Sequence, residues 1–185
     1  MRALQIFSFN AILLVLTATL LDGTLSTGAT HTISFVDING KKLSTADGHV
    51  TIVVLTTPGE REKARTVGDR VPDYCLGNPD YRMITVLHFV RTHTTIGRRL
   101  ATAFIRRRVR EEAKRLQARY DAKKIARDAS RDIFVVTDFD GTVASQLGDA
   151  ESPNDFQVFV FGRTGELRAR WHDVPSAEQL AAALK

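Results

Sequence analysis

The only thiol in the chain is Cys75. One cysteine cannot close an internal disulfide or run dithiol exchange, and no zinc-ligand spacing accompanies it. A structural metal of the cysteine type is therefore excluded. No cationic residue adjoins Cys75 to favour its thiolate, so it reads as a part-buried structural thiol. The histidines are His31, His49, His88, His93 and His172. His88 and His93 are separated by an odd interval at a strand end, which sends them to opposite faces and away from a shared metal. The reading assigns no metal site and no cofactor. What remains is electrostatic. Arg98 to Arg127 holds twelve Arg/Lys against Glu111, Glu112 and Asp121, a charge of +9 in a chain of +5. The rest is thus net acidic. Arg98, Arg99, Arg106, Arg107, Arg108 and Arg110 are the candidate anion-binding residues.

These residues must be held by elements that the sequence also predicts. His31 to Ile38 alternates in strand fashion, and Asn39-Gly40 is a hairpin turn signal. Thr51-Ile52-Val53-Val54-Leu55-Thr56 is a β-branched run suited to a strand covered on both faces. A helix is expected from Glu60 to Val71. Thr57 followed by Glu60 three residues on predicts a capping box at its start. Tyr81 to Val90 and Ile133 to Thr137 are further buried strands, with a long basic helix at about 95–129 between them. On that helix Ile96, Leu100, Ala103 and Phe104 form an apolar stripe, continued after a drift by Ile105, Val109, Leu116 and Tyr120. It is expected to pack on the domain or on a partner. A short helix over Val143 to Leu147 follows. The loop Gly148 to Asp155 leads to a strand at Phe156 to Phe161, a tight turn at Arg163-Thr164-Gly165-Glu166, and a strand at Leu167 to Trp171. Pro175-Ser176-Ala177-Glu178 opens a last helix. Strands alternating with helices imply a parallel-containing sheet covered on both faces, finished by an antiparallel hairpin.

Residues 1–29 read as a targeting segment. Arg2 supplies a positive start, Ala11 to Leu21 an apolar core, and Thr27-Gly28-Ala29 small residues for cleavage. The stretch from Leu4 to Leu21 is interrupted by Gln5, Ser8 and Asn10, which is marginal for a membrane span. The segment is expected to be a signal peptide or an N-terminal anchor, and 30–185 a single domain. The protein is then expected to be exported: periplasmic, extracellular, or anchored.

Two stretches carry a resemblance to a known fold. Thr137-Asp138-Phe139-Asp140-Gly141-Thr142-Val143-Ala144-Ser145-Gln146-Leu147-Gly148 resembles a redoxin strand end with its short helix. Phe156-Gln157-Val158-Phe159-Val160-Phe161-Gly162-Arg163-Thr164-Gly165-Glu166-Leu167 resembles the closing hairpin. Together they are similar to the redoxin branch of the thioredoxin-like fold. That resemblance implies an α/β three-layer sandwich: a mixed central sheet, helices on both faces, and here one long inserted basic helix. In that family the reactive cysteine follows the first buried strand. In this chain the place is taken by Thr57, Pro58, Gly59 and Glu60, a pseudo-active-site loop without sulfur. The family's proline before the closing hairpin has only Pro153 as a counterpart, three residues too early.

A second resemblance lies in Asp138-Phe139-Asp140-Gly141-Thr142, which is similar to the first motif of haloacid-dehalogenase-like phosphatases. It would make Asp138 a nucleophile and Asp140 an acid/base, with Mg²⁺. Only 43 residues follow Thr142, and their sole lysine is Lys185. The motif therefore lacks the rest of that family's machinery. The first expectation is a non-catalytic thioredoxin-like module of the cell envelope, binding a protein or an anionic envelope component. The exposed amides at Thr57 to Glu60 would hold an anion or a peptide carboxylate. The basic helix would touch a membrane surface, with nucleic acid the less favoured target. The alternatives are a single-cysteine redoxin or peroxiredoxin-like oxidoreductase, and the phosphatase.

Overall fold

The central strand β3 (Val50–Thr56) is buried at every position, as its unbroken β-branched run requires. In this computed structural model, which describes residues 25–89, 94–148 and 156–185, it forms the middle of a five-stranded sheet. The sheet runs β5-β4-β3-β6-β7, with β4 at Tyr81–His88, β5 at Ile133–Asp138, β6 at Gln157–Phe161 and β7 at Leu167–Trp171. β3, β4 and β5 are parallel, and β6 and β7 are antiparallel additions. Crossover helices are needed for the parallel pairs. They are α1 (Arg61–Arg70) and α2 (Thr95–Ala122). The short α3 (Thr142–Gln146) and the terminal α4 (Ala177–Leu184) complete the helices. A separate hairpin, β1 (Ser34–Val36) with β2 (Lys42–Ser44), precedes the sheet.

The period-two alternation of the strands sorts their side chains into two cores. Val53, Leu55, Ile84, Val86, Phe159 and Phe161 point to one face, where α3 and the β1–β2 hairpin cover them. Val50, Ile52, Val54, Val158 and Val160 point to the other, under α1 and α4. α2 lies on that second face too, through Ile105 and Val109 against Val135, Leu87 and Ile133. Each fully buried Val, Leu or Phe contributes about 1.5–3 kcal/mol. The outer edge of β5 is not left open. Ile38 N donates to Val135 O at 2.9 Å, so the β1–β2 loop closes it.

The β6–β7 turn needs a glycine. Gly165 sits at φ +86°, and a Cβ there would lie 2.6 Å from the His31 carbonyl oxygen. Ser176 and Gln179 form the capping box that starts α4.

Three expectations need correction. The first strand is only Ser34–Val36. The basic helix ends at Ala122 rather than 129, because Lys124 turns left-handed (φ 57°) and Ile125 N donates back to Tyr120 O. A 3₁₀ turn at Ala129–Asp132 follows, tied by the two-pronged Arg127–Asp132 pair at 2.7 Å. Thr57 and Glu60 make no capping box. Glu60 is itself the cap residue of α1, without a side-chain cap bond. Its amide instead donates to Thr57 O at 3.1 Å, closing a turn. The long helix does pack on the domain through Ile105 and Val109, while Ile96, Leu100 and Phe104 at its start are 72%, 68% and 58% exposed. The loop to Asp155, with Pro153, and His93 lie outside the described residues, as does most of the targeting segment.

Candidate functional site

The carboxyl ends of β3, β4 and β5 lie at one edge of the sheet, where ligands of open α/β folds bind. The turn Thr57 to Glu60 leaves β3 at this edge. Pro58 and Gly59 are exposed, while Thr57 and Glu60 are half-buried. The Glu60 carboxylate reaches Lys63 Nζ through Oε1 at 3.2 Å, and its Oε2 is buried without a hydrogen-bond partner. Opposite Leu55, at the same end of β3, Gln157 is fully buried. Its Oε1 accepts from Arg170 Nε at 2.9 Å, and its Nε2 has no partner. Sequence reasoning singled out neither of these groups, since both become visible only through strand pairing.

A cleft of about 700 Å³ opens beside the turn. Its floor is the α1/α2 face of β4, with Met83, Thr85 and Leu87, and its walls come from Ala64 on α1 and from Ile105 and Leu116 on α2. The floor is uncovered because α2 packs over β5 and leaves part of β4 bare.

Cys75 lies at the end of this cleft, in a 3₁₀ turn, Asp73–Cys75, after α1. It is 7% exposed and packed among apolar side chains. Burial pushes its thiol up to about 11, against a weaker pull from Tyr74. A thiol so placed is overwhelmingly protonated at neutral pH and is a poor nucleophile.

The two carboxylates of the Asp138-Phe139-Asp140 stretch do different jobs. Asp138 is 2% exposed. Its Oδ1 accepts from Val143 N at 3.2 Å and its Oδ2 from Ala144 N at 3.0 Å. His88 Nδ1 donates to Oδ2 at 3.1 Å. Asp138 thus holds the start of α3 and a buried histidine, with both oxygens engaged. Asp140 is exposed and accepts from Thr142 N at 3.2 Å; hydrogen bonds to Thr142 hold its carboxyl below the ordinary range. Asp138 itself is buried, so the two carboxylates share no open face. No group of three or more acidic, histidine or cysteine side chains suited to a metal occurs among the described residues. The His88–Asp138 pairing was missed in sequence. Its only signal is the parallel register, which makes them the last pair of β4 and β5.

The six candidate arginines divide by partner. The Arg98 guanidinium lies over the Phe139 ring at 5.4 Å. Arg106 donates to the Ile38 carbonyl at 2.8 Å. Arg107 and Arg108 lie 3.6 Å and 3.8 Å from Glu111. Arg99 and Arg110 are exposed and have no acidic partner among the described residues.

No family model and no curated protein sequence matches the chain. Solved structures do. The exposed lipoprotein thioredoxin Etrx1 of Streptococcus pneumoniae is 11% identical, covers 83% of this chain and 97% of its own, and superposes with a TM-score of 0.52. A putative thiol:disulfide interchange protein DsbE of Chlorobium tepidum is 13% identical, with 88% and 100% covered and a TM-score of 0.52. StoA of Bacillus subtilis is 15% identical, with 85% and 99% covered and a TM-score of 0.50. Such likeness speaks to architecture, and it agrees with the strand order and the two covered faces. The chain therefore has the thioredoxin-like fold, with one cysteine that lies away from the turn following β3.

Proposed function

We propose that the chain is a non-catalytic thioredoxin-like module of the cell envelope, acting by binding rather than by electron transfer. The observation that carries this reading is the position of the thiol. The turn after β3 offers Thr57, Pro58, Gly59 and Glu60, and the single sulfur is buried elsewhere with its pKa pushed up to about 11. Dithiol exchange needs a second cysteine and an accessible thiolate, and neither is present. Export is supported by the apolar, basic-ended sequence of residues 1–29 and by the exposed lipoprotein thioredoxin among the similar structures. The cleft between α1 and α2, lined at one side by Pro58 of the Thr57–Glu60 turn, is the surface offered to a partner. Its apolar floor and its size fall within the range of ligand-binding clefts, about 300–1,000 Å³.

Insulin-disulfide reduction tests the reading. With dithiothreitol as reductant, the protein is expected to leave the rate of insulin precipitation unchanged, and Cys75→Ser to behave identically. An acceleration that Cys75→Ser abolishes would show an oxidoreductase and reject the proposal.

A further inference from the structure

The most exposed large apolar side chains among the described residues are on the first half of α2. Ile96, Leu100 and Phe104 recur every four residues, so they stand on one helix face. They span about 12 Å of the helix axis at 1.5 Å per residue. Ala103 is exposed beside them. The opposite face, with Ile105 and Val109, is the one that packs on the sheet. The exposed face is also basic. Of the six arginines between Thr95 and Arg110, Arg99, Arg107 and Arg110 lie on or beside that face, and the stretch holds no acidic residue. At about 100° per residue Arg99 and Arg110 stand along one side of the apolar row and have no acidic partner among the described residues, and Arg107 follows Phe104 by about one turn on the same face, 75% exposed. Its pairing with Glu111 at 3.6 Å is a surface contact of little strength.

We propose that this half of α2 docks the domain on an anionic lipid bilayer. Ile96, Leu100 and Phe104 enter the boundary between headgroups and acyl chains, and Arg99, Arg107 and Arg110 meet lipid phosphates. A helix with one apolar row set among arginines matches the two layers of such an interface. A second copy of this chain would satisfy the apolar row but would set unpaired arginines against one another. Nucleic acid would satisfy the arginines but would leave three large apolar side chains in water. The lipid interface offers both an apolar phase and negative charge. The inference deepens the envelope-module reading by naming a partner class, and it stands on α2 rather than on the thiol.

The test places a nitrobenzoxadiazole label on Leu100→Cys in a Cys75→Ser background of the full chain. Lys42→Cys, exposed on the hairpin of the opposite face, is the control. The N-terminal segment is retained in both, so its own partitioning affects both alike. At low salt, vesicles containing phosphatidylglycerol are expected to raise and blue-shift the emission at position 100 and not at 42. Pure phosphatidylcholine vesicles are expected to do neither, and high salt to reverse the change. Combined Ile96→Asp, Leu100→Asp and Phe104→Asp is expected to lower vesicle partitioning about tenfold or more, as is Arg99→Glu with Arg107→Glu and Arg110→Glu. These positions are exposed, so urea midpoints should stay unchanged. No response at position 100, an equal response at 42, or undiminished binding by the triple aspartate variant overturns the proposal. Retardation of an oligonucleotide without any vesicle response overturns it too. A null vesicle result leaves the insulin result untouched.

Discussion

Asp138→Ala is expected to destabilise the domain by about 3 kcal/mol, because it removes the acceptor of three buried or half-buried donors at once. The Val143 and Ala144 amides are among the first N–H groups of α3, which have no partner within the helix. The His88 ring nitrogen is buried beside them. A hydrogen bond to a charged group is worth about 1.5–3 kcal/mol, and a donor left buried without a partner costs about 1–3 kcal/mol. Removing a buried carboxylate returns part of this through relieved desolvation. Asp138→Asn keeps one acceptor oxygen and is expected to lose about half as much. Urea unfolding measures both. A loss below about 0.5 kcal/mol for alanine, the range of ordinary surface substitutions, would mean that Asp138 is not the structural anchor described. An Asp138→Asn protein that folds normally but loses Mg²⁺-dependent phosphatase activity would restore the nucleophile reading.

The second large effect concerns Arg82, which is 9% exposed within the sheet. Its Nε donates to Thr51 Oγ1 at 3.1 Å, and Nη1 and Nη2 grip Asp47 at 2.8 Å and 2.6 Å. Nη2 also donates to the Ser44 carbonyl. The side chain therefore ties the β1–β2 hairpin to β3 and β4. Arg82→Met keeps much of the volume but removes the guanidinium that Asp47, Thr51 and the Ser44 carbonyl accept from. Removing one partner of a fully buried ion pair costs about 3–5 kcal/mol. Asp47 retains some solvent, so about 2–4 kcal/mol is expected here.

The same pair sets an acid limit. Burial raises the Asp47 carboxyl, but Arg82, His49 and the Ser44 amide outweigh that and hold it at about 2, below the ordinary 3.8. A depressed folded-state pKa means that stability is present above pH 3.8 and is lost as pH falls toward 2. With a carboxylate that is a third exposed, the loss should be about 1–2 kcal/mol after allowance for screening. Arg82→Met should show little of this acid-dependent term. Equal slopes of stability against pH for the two proteins in that window would contradict the pairing.

Much of the fold was legible because its signals are local. The run Thr51 to Thr56 could only be a strand with both faces covered, and Asn39-Gly40 and Arg163 to Glu166 mark turns by their chemistry. The missed features depend on distance or on competition. His88 and Asp138 are 50 residues apart and meet only when β4 and β5 pair in register. Thr57 had the spacing for a capping box, but the Pro58-Gly59 turn placed the Glu60 amide on the Thr57 carbonyl instead. Lys124 ends α2 in a conformation that lysine seldom adopts, held by the pull of Tyr120 and Ile125. Tyr120 is itself fixed at both ends: its hydroxyl donates to Asp132 at 2.9 Å and accepts from Gly77 N at 3.0 Å. The exposure of Ile96, Leu100 and Phe104 was illegible because periodicity shows that a face is apolar without showing what covers it.

The central claim is that this thioredoxin-like fold keeps its one thiol protonated and sheltered, and the rate of Cys75 alkylation against pH tests it most directly. The native protein is expected to react slowly with iodoacetamide at neutral pH, with the rate climbing only toward pH 11 and becoming rapid once urea unfolds the chain. Rapid, stoichiometric alkylation of the folded protein at neutral pH, with a rate that levels off below the ordinary thiol range, would contradict it.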